Sequence, residues 1–515
     1  MLTKILFLHF FILLSCSKDT DLLVDAVLQS DNPNITEHYA LDDFFKIEPN
    51  SNITLDVLSN DSFIDENKVK ITETSSPING IVIINENKTL TYISNQIPIV
   101  ETPQEESISD TFTYTVEALN EDETTTSSTA IVTVTIAEDN STTIELSKSI
   151  QLLKVSYDSV WTGSINEKSR YITISENGDQ GDLYYFDDGI RSLITMFQVT
   201  GEKTYLDEAI SLSKKIISKA KISSELPQKN GYNDSYLSWY SSINNSLTGQ
   251  GLENGGQASL YEGRGFRHIA KMLWIMHESP SLLNSSNYNE DYNEILAFIT
   301  KHIWEKWENR DNGAMTHFYR RTVDPTANWA YIGLYLNKIT GDEKYKEVFY
   351  RFNSDMSLSP AHQTSSMREN IRPNSKNPSA YMWKRHWDNS DSHIADHSHE
   401  NRAVSLMVDA YELGEYWTLS DMIALRKTID VFWDPKTDGS VMKEYIDGTN
   451  SSSPDTRPYI EWGWMMLGRF DNSLQKQLEK RNLKQAKSGR LLHLHFAQLA
   501  YNLSVKNNLL FYPEN

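Results

Sequence analysis

Apolar and polar residues alternate along the first quarter of the chain, as they do in half-buried strands. The alternation is clearest at Ile53, Leu55 and Val57, at Leu90 and Tyr92, at Phe112, Tyr114 and Val116, and from Ile131 to Ile136. Residues 81–84 instead form a continuous apolar run, which predicts a strand buried on both faces. Asn, Asp, Gly and Pro mark the turns. The pattern therefore predicts a small all-β sandwich over residues 39–138.

The remainder of the chain changes to a helical period. Apolar residues recur at helical spacing in eight segments: 189–199, 206–220, 266–276, 292–307, 329–338, 404–413, 422–432 and 491–505. A short acidic, Ser/Thr-rich link at residues 138–143 precedes them. We therefore predict a mainly α domain over residues 145–515.

A weak internal repeat indicates a regular helical array. Residues 200–205 read Thr-Gly-Glu-Lys-Thr-Tyr, residues 340–345 read Thr-Gly-Asp-Glu-Lys-Tyr, and residues 411–416 form a degenerate third copy. In each of the first two, the glycine is predicted to end one helix and the tyrosine to start the next. Recurring hairpins either stack as a solenoid or close into an (α/α) toroid. Long connections rich in Trp, Tyr, Asn, His and Arg favour the toroid, because solenoid linkers are usually short.

Length and charge narrow the class of protein. A chain of 515 residues divides into at least two domains, and its formal charge of -22 argues against nonspecific nucleic-acid binding. Any anionic ligand must therefore be held by local positive charge. Cys16 is the only cysteine, so the chain can form no intramolecular disulfide and no thiolate metal site. We expect a monomer.

The N-terminus has the features of a targeting segment. Lys4 is followed by an apolar run over residues 5–14, which is too short to span a bilayer, and then by Leu-Ser-Cys16. This pattern resembles a bacterial lipoprotein signal, and the acidic residues after Cys16 resemble a surface-export signal of Bacteroidota. The resemblance implies a signal peptide at residues 1–15, lipidation of Cys16, a flexible tether over residues 16–38 and an outer-membrane lipoprotein exposed at the cell surface. An ordinary secretory signal is the alternative.

Four of the thirteen histidines lie between residues 384 and 402, among cationic, carboxylate and amide side chains and just before a helix. Loops held by a rigid scaffold concentrate catalytic groups, so this stretch is the predicted rim of an active site. His393 and His397 would share a helical face, but no His-Glu-x-x-His pattern accompanies them, and hydrogen-bonding histidines are the preferred interpretation. We predict no metal site and no cofactor, while the abundance of aspartate leaves a structural calcium ion open.

Two known families resemble parts of the chain. Residues 55–61 and 110–116 are similar to the cadherin-like Ig modules of bacterial surface proteins, which implies an Ig-like fold and a spacer role, with carbohydrate binding as the alternative. The lipoprotein signal, the Ig-like segment, the turn at residues 398–402 and the segment 457–464 together resemble the (α/α)-toroid polysaccharide lyases of marine Bacteroidota. These enzymes cleave uronic-acid polysaccharides by β-elimination.

The lyase resemblance implies roles for particular residues. A neutraliser of the uronate carboxylate and a tyrosine acid or base are required, and His399 with Tyr459 is the preferred pair, supported by Asn401 and Arg457. Tyr445 is an alternative to Tyr459, and His268 with Tyr319 is a second possible pair. The predicted substrate contacts are Arg385, His386, Trp387, Glu262, Arg264, His268, His317, Tyr319 and Arg320. The expected partner is an anionic polysaccharide: ulvan first, because the surplus arginines suit sulfate, then alginate or glucuronan.

Two other functions fit the same sequence. A toroid glycoside hydrolase needs two carboxylates about 5 to 10 Å apart, which Asp187, Asp188, Asp388 and Glu461 could supply. A surface glycan-binding lipoprotein would use the same aromatic loops without chemistry. A lyase product absorbs in the ultraviolet through its new double bond, a hydrolase product does not, and a binding protein leaves the polymer intact.

Overall fold

The structure is a computed structural model, and it describes residues 40–47, 52–61, 68–94, 108–119, 124–136, 148–163, 165–227, 232–253, 255–311, 315–354, 365–387, 393–433, 439, 441–454, 459–481 and 491–514. All of these residues belong to one compact unit, His38–Asn515. Within the described ranges no helix is both long and apolar enough to cross a membrane. The predicted signal peptide, the tether and Cys16 lie outside these residues.

Two small sheets form the N-terminal domain. Their strands are β1 (Asp43–Ile47), β2 (Asn52–Leu55), β3 (Val69–Thr74), β4 (Gly80–Ile84), β5 (Leu90–Ser94), β6 (Ile108–Leu119) and β7 (Thr125–Ile136). One sheet has the order β1-β7-β6-β3 and the other β2-β5-β4; β1 pairs with β7 in parallel and the other pairs are antiparallel. The alternating residues Leu55, Tyr92, Tyr114 and Val132 face inward and are fully buried. The predicted alternation thus forms the core of a sandwich.

The prediction for residues 81–84 is wrong. Strand β4 lies at the edge of its sheet, paired only with β5 among the described strands. Ile81 and Ile83 are 56 and 47 % exposed. A continuous apolar run does not distinguish a central strand from an edge strand, since the pattern contains no information about neighbouring strands.

The helical domain follows. Its helices are α1 (Lys148–Trp161), α2 (Glu167–Asn177), α3 (Leu183–Thr200), α4 (Lys203–Ile217), α5 (Ser259–His277), α6 (Pro280–Leu283), α7 (Ser286–Phe298), α8 (Lys306–Asn309), α9 (Val323–Thr340), α10 (Glu343–Asn353), α11 (Met367–Asn370), α12 (His397–Glu412), α13 (Leu419–Phe432), α14 (Asn472–Glu479) and α15 (Leu492–Lys506). A π-helical segment, Ile299–Glu305, joins α7 to α8, and 3₁₀ segments occur at Gln180–Asp182, Ser223–Glu225 and Trp464–Phe470. Two-residue strands pair as β8 (Lys221–Ile222) with β9 (Leu237–Ser238) and β10 (Arg372–Pro373) with β11 (Tyr381–Met382).

The inner helices close into a ring. They pack in the order α3, α5, α9, α12, the 3₁₀ segment Trp464–Phe470 and α15, and α15 packs back against α3. Helices α4, α7, α10, α13, α14 and α1 pack on the outside of this ring. Each inner helix is apolar where it meets its outer partner, and this packing forms one large core. The predicted fold class, a mainly α toroid preceded by a small all-β Ig-like sandwich, is confirmed.

The repeated Thr-Gly motif marks two helix ends. Gly201 and Gly341 follow α3 and α9 with φ of 68° and 70°, the left-handed conformation that a residue without Cβ adopts at low cost. Helices α4 and α10 begin two residues later. Gly414 also has positive φ, at 70°, but α13 begins only at Leu419, so the third copy keeps the glycine turn and lengthens the connection.

Candidate functional site

The inner helices start at the same end of the ring. Lys271 and Asp409 are each the thirteenth residue of their helices, α5 and α12, and they form an ion pair of 2.9 Å. Tyr335, the thirteenth residue of α9, donates to the same carboxylate at 2.9 Å. Nearer the helix starts, Arg267 and Ser405, the ninth residues of α5 and α12, are hydrogen-bonded, and Arg402, the sixth residue of α12, pairs with Asp324, the second residue of α9. The contacts follow the same order along each helix, so α5, α9 and α12 are parallel. The N-termini of these helices therefore lie together, and their dipoles make that end of the ring favourable for negative charge.

A group of polar and aromatic residues occupies this end, and we call it the mouth. Its members are Tyr184 and Asp188 of α3, Arg264 of α5, Asp324 of α9, His399 and Arg402 of α12, and Trp462 of the loop before the 3₁₀ segment. Tyr184, His399 and Trp462 are partly exposed, while the two arginines and two aspartates are buried behind them. The mouth thus presents aromatic rings and one imidazole to solvent over a buried layer of charge.

His399 forms an ion pair with the residue that caps its own helix. Asp396 accepts hydrogen bonds from the backbone N of His399 at 2.9 Å and from its Nδ1 at 2.8 Å. Burial opposes the charged form of His399, but the hydrogen bond and charge of Asp396, with the nearby Asp324, raise its pKa to about 9. Burial likewise opposes the charged form of Asp396, and the bond to His399 nevertheless holds its pKa well below the usual range. At neutral pH the mouth therefore carries an imidazolium whose side chain is 38 % exposed.

This ion pair predicts a pH dependence. Because the pKa of His399 rises from 6.5 to about 9 on folding, the pairing contributes its full stability below pH 6.5 and loses it as the pH rises through about 9. We expect the difference in unfolding free energy between the wild type and His399→Gln to shrink across this interval in urea titrations. His277→Gln, at an exposed histidine, is the control for loss of an imidazole. A difference that stays constant from pH 6 to 10 would contradict the assignment.

Tyr184 is bound by one arginine and covered by another. Arg402 Nη2 donates to Tyr184 Oη at 2.6 Å, and Arg402 Nη1 donates to Asp324 Oδ2 at 3.2 Å. The guanidinium of Arg264 lies 4.0 Å from the centre of the Tyr184 ring. Burial raises the pKa of Asp324, although the charges of His399 and Arg385 act in the opposite direction. The phenolic oxygen is thus held by a cation and lies beside the rim histidine, whose charge it influences.

Trp462 closes the other side of the mouth. Its Nε1 donates to Asp188 Oδ1 at 2.6 Å, and the Arg264 guanidinium lies 4.9 Å from its ring and 3.4 Å from the same carboxylate oxygen. Burial raises the pKa of Asp188 to about 6, with Arg264 opposing the rise. Tyr459 stacks on Trp462 at a centroid distance of 6.0 Å. Tyr459 therefore lies at the edge of the mouth.

A buried polar network continues along the ring axis below the mouth. Asp187 Oδ1 lies 2.7 Å from His268 Nδ1, and Arg267 donates to Asn328 at 2.9 Å and to Ser405 at 2.5 Å. Burial and the charges of nearby arginines hold the pKa of His268 well below its usual range. A small cavity follows, lined among others by Arg191, His268, Lys271, Tyr331, Asp409 and Tyr501. His268 is therefore a neutral core residue, away from the partly exposed rim.

The structure brings several predicted site residues together. His399 and Arg264 are members of the mouth, and Tyr459 lies at its edge. Asn401 is completely buried; its Nδ2 donates to the carbonyl of Tyr459 at 2.6 Å and its Oδ1 accepts from Trp464 N at 3.2 Å. Both the nitrogen and the oxygen of its amide therefore form hydrogen bonds with backbone groups, one before and one after Trp462. In this arrangement Asn401 positions the loop that carries Trp462 and Tyr459, and it does not face solvent.

Four predicted substrate contacts are buried away from the mouth, in addition to Arg264, which is 2 % exposed and lies behind the rings of the mouth. Glu262 is 0 % exposed and accepts hydrogen bonds from Gln180, Ser238, Lys306 and Trp307, so it stabilises the core. Trp387 packs edge-on against Phe352, and Tyr319 is 0 % exposed. Together with His268, these residues cannot touch a polymer in this conformation. Their loops looked polar and aromatic because aromatic rings and buried ion pairs also build the toroid interior.

Other predicted residues remain accessible. The backbone of Arg385 and His386 pairs with the start of α9, through the bond from Val323 N to the Arg385 carbonyl at 3.1 Å and the bridge of Thr322 with His386. That pairing places the Arg385 side chain close enough to influence Asp324. Both side chains are half-buried, and Arg385 lies next to the mouth on this side.

A separate aromatic cluster contains His317. Its ring packs edge-on against Trp307 at 4.8 Å and lies 6.3 Å from the ring of Tyr232. Burial, with the charges of Arg320 and Arg310, lowers its pKa. Arg320 is exposed. No described contact joins either residue to the mouth.

Three predicted residues lie outside the described part of the chain: Cys16, Arg457 and Asp388. Glu461 is described, and its carboxylate is buried in an ion pair of 2.6 Å with Arg481. Tyr445 is partly exposed, and its backbone bridges that of Asp396. Within the described ranges, no group of three or more His, Cys, Asp or Glu side chains could hold a metal ion.

Comparisons with known proteins identify the N-terminal domain. Residues 30–135 match the family model of the bacterial Ig domain. No curated protein matches the chain. The chain therefore carries a bacterial Ig domain followed by a mainly helical toroid domain.

One solved structure similar to the chain is an inactive variant, with two consecutive aspartates replaced by asparagine, of the alpha-1,6-mannanase GH76A of Salegentibacter sp. HEL1_6 in complex with alpha-1,6-mannotriose. The two sequences are 13 % identical, the match covers 70 % of this chain and 99 % of that one, and the TM-score is 0.34. A TM-score this low does not establish a shared activity.

Proposed function

We propose that the helical domain degrades an acidic polysaccharide and that its mouth is a lyase site for uronic-acid polymers. One observation carries the proposal: the hydroxyl of Tyr184 receives a hydrogen bond from Arg402 at 2.6 Å, beside the exposed imidazolium of His399. A positioned tyrosine next to cationic groups is the combination that β-elimination from a uronate requires.

The chemistry assigns a task to each member of the mouth. The C5–H of a uronate is barely acidic while its carboxylate is charged, so a cation must lie against that carboxylate as negative charge develops. His399 is the cation that reaches solvent, with Arg402 and the helix N-termini behind it. A base takes the C5 proton, the freed electron pair forms the C4–C5 double bond, and the C4–O bond breaks with its electrons on the leaving oxygen.

Tyr184 is the residue best placed to move these protons. As the base, its oxygen would take the C5 proton while the hydrogen bond from Arg402 fixes its position, and the same group, once protonated, can return the proton to the leaving oxygen. Buried donors strengthen the positive field behind it, because Arg264 Nε and Nη1 and Arg402 Nε have no hydrogen-bond partner among the described residues. Trp462 and Tyr459 offer ring faces for pyranose stacking.

A hydrolase is the second candidate, and a specific observation favours it. Burial raises the pKa of both Asp187 and Asp188 to about 6, although arginines oppose the rise in each case. A carboxyl group with a pKa near 6 is partly protonated in mildly acidic solution and can then act as a general acid toward a glycosidic oxygen. Asp188 lies behind Trp462 at the mouth, so it is the more accessible of the two to a sugar bound there.

The two activities give different products. The full chain is incubated with alginate, glucuronan, ulvan and a neutral mannan, and ultraviolet absorbance and reducing ends are followed together. The lyase proposal predicts that both rise with a uronate polymer. Reducing ends without absorbance would support the hydrolase, and binding without either would support a glycan-binding protein. We propose ulvan as the first substrate to test and a surface lipoprotein, anchored through Cys16, as the native form.

A further inference from the structure

An oxygen-rich cluster in the Ig domain is independent of the mouth. It lies between the start of β1, the turn that follows β2, and strand β6. Its side chains are Asp43, Asn60, Asp61 and Tyr114. Asp43 and Asn60 are 4 and 3 % exposed, and Tyr114 is fully buried.

The cluster contains more hydrogen-bond acceptor oxygens than donor hydrogens. Four oxygens lie around Tyr114 Oη: the carbonyls of Val57 at 2.8 Å and Leu41 at 3.1 Å, and both carboxylate oxygens of Asp61 at 3.0 Å. A hydroxyl has one proton and can donate to only one of them. Leu41 N donates to Asp61 Oδ1 at 2.7 Å and supplies one further donor. At least two oxygens in this small volume therefore receive no hydrogen from the described residues.

Two buried side-chain oxygens next to this group are also unsatisfied. Asp43 Oδ2 and Asn60 Oδ1 have no hydrogen-bond partner among the described residues. The amide of Asn60 donates to the Asp42 carbonyl at 3.2 Å and lies against Asp43. An unsatisfied buried carboxylate oxygen is costly, and such atoms in a native structure usually indicate an absent partner.

The charges of the cluster indicate that the absent partner of these oxygens is a cation. No Lys or Arg pairs with the carboxylate of Asp43 or Asp61 in the described structure. Two buried carboxylates without a counter-charge repel each other, and a divalent cation between them would reverse the sign of that interaction.

We propose that Asp43, Asn60 and Asp61, with the carbonyls of Leu41 and Val57, bind one calcium ion in the Ig domain. Calcium takes six to eight oxygen ligands, from carboxylates, amides and backbone carbonyls, with waters completing the shell. The cluster offers these ligand types and no nitrogen or sulfur, which excludes a preference for zinc or copper. With only two carboxylates, it is not one of the groups of three or more acidic or histidine side chains considered above. The ion would tie the entry of β1 to the turn after β2.

The test uses the full chain, purified in chelator and then titrated with calcium. Calorimetry should find one bound ion with a Kd of about 10⁻⁴ to 10⁻³ M, the range of extracellular modules. Terbium should bind in competition with calcium and luminesce by energy transfer from Tyr114. Hydrogen exchange of the β1 and β6 peptides should slow at least tenfold in saturating calcium, while the helical domain should not change.

Two variants test whether the Asp43 carboxylate binds the ion. In chelator, Asp43→Asn should be at least as stable as the wild type, because it removes the like-charge repulsion, and it should lose the calcium response. Asp56→Asn, at an exposed carboxylate of the same turn, should respond as the wild type does. No binding to the wild type at 5 mM calcium would overturn the proposal and indicate a neutral Asp43 carboxyl instead. An unchanged response in Asp43→Asn would overturn it as well.

Discussion

Replacing Tyr184 by phenylalanine is expected to lower kcat on the uronate polymer by about 10² to 10⁴-fold, the contribution typical of a positioned proton-transfer group. The substitution removes one oxygen and leaves the ring that packs against Arg264 at 4.0 Å, so the fold and the stacking surface should persist. KM should change little, because the hydroxyl acts on the reacting proton and the rings bind the sugar. Steady-state kinetics with absorbance detection measure both constants.

Tyr185→Phe is the matched control for this variant. Tyr185 is the next residue of α3, packs edge-on against Tyr184 at 5.1 Å and is also partly exposed. The described hydrogen bond of Arg402 Nη2 goes to the hydroxyl of Tyr184. The kcat of Tyr185→Phe should stay within about threefold of the wild type. If Tyr184→Phe retains more than a tenth of the wild-type kcat, Tyr184 does not transfer the proton, and Tyr459 or Tyr445 becomes the next candidate.

The second large effect concerns stability, at Glu262. Its carboxylate is fully buried and accepts from Lys306 at 2.7 Å and from Trp307 Nε1 at 2.6 Å. Glu262→Ala removes the carboxylate that supports the charge of Lys306, whose pKa burial already lowers to about 8, and leaves the amine in the core without its counter-ion. Breaking one partner of a buried pair costs about 3 to 5 kcal/mol, and we expect that loss in the unfolding free energy of the helical domain. Denaturant titration followed by tryptophan fluorescence measures it.

Glu278→Ala is the control, since Glu278 is an exposed carboxylate at the end of the same helix. Its unfolding free energy should differ from the wild type by less than about 0.5 kcal/mol. The folded fraction of Glu262→Ala should keep the KM of the wild type. A large rise in KM with normal stability would instead support the sequence-based assignment of Glu262 as a substrate contact.

Much of the fold could be predicted because it depends on local pattern. Every helical segment predicted from apolar spacing lies within or across a helical element, and the glycines of the Thr-Gly motif end α3 and α9. Ring closure was predicted from loop composition. The edge position of β4 was not, since strand order depends on contacts between residues distant in sequence.

The residues of the mouth, our candidate site, could be identified from the sequence only in part. His399 and Arg264 stood out because they belong to dense polar segments. Tyr184 and Asp324 did not stand out. Tyr184 follows Leu183 at the start of an apolar helix. Asp324 precedes Pro325 in the first turn of α9, where a carboxylate is usually interpreted as a helix cap. Their meeting depends on four parallel helices starting at one level. Their position could have identified them, because both are polar residues in the first two turns of inner helices.

The most direct test of the central claim is ultraviolet absorbance of the purified full chain mixed with ulvan, alginate and glucuronan, with reducing ends measured in the same samples. The account predicts a linear rise in absorbance with at least one polymer, matched mole for mole by new reducing ends and lost in Tyr184→Phe. New reducing ends without absorbance, or an unchanged polymer in every case, would contradict it.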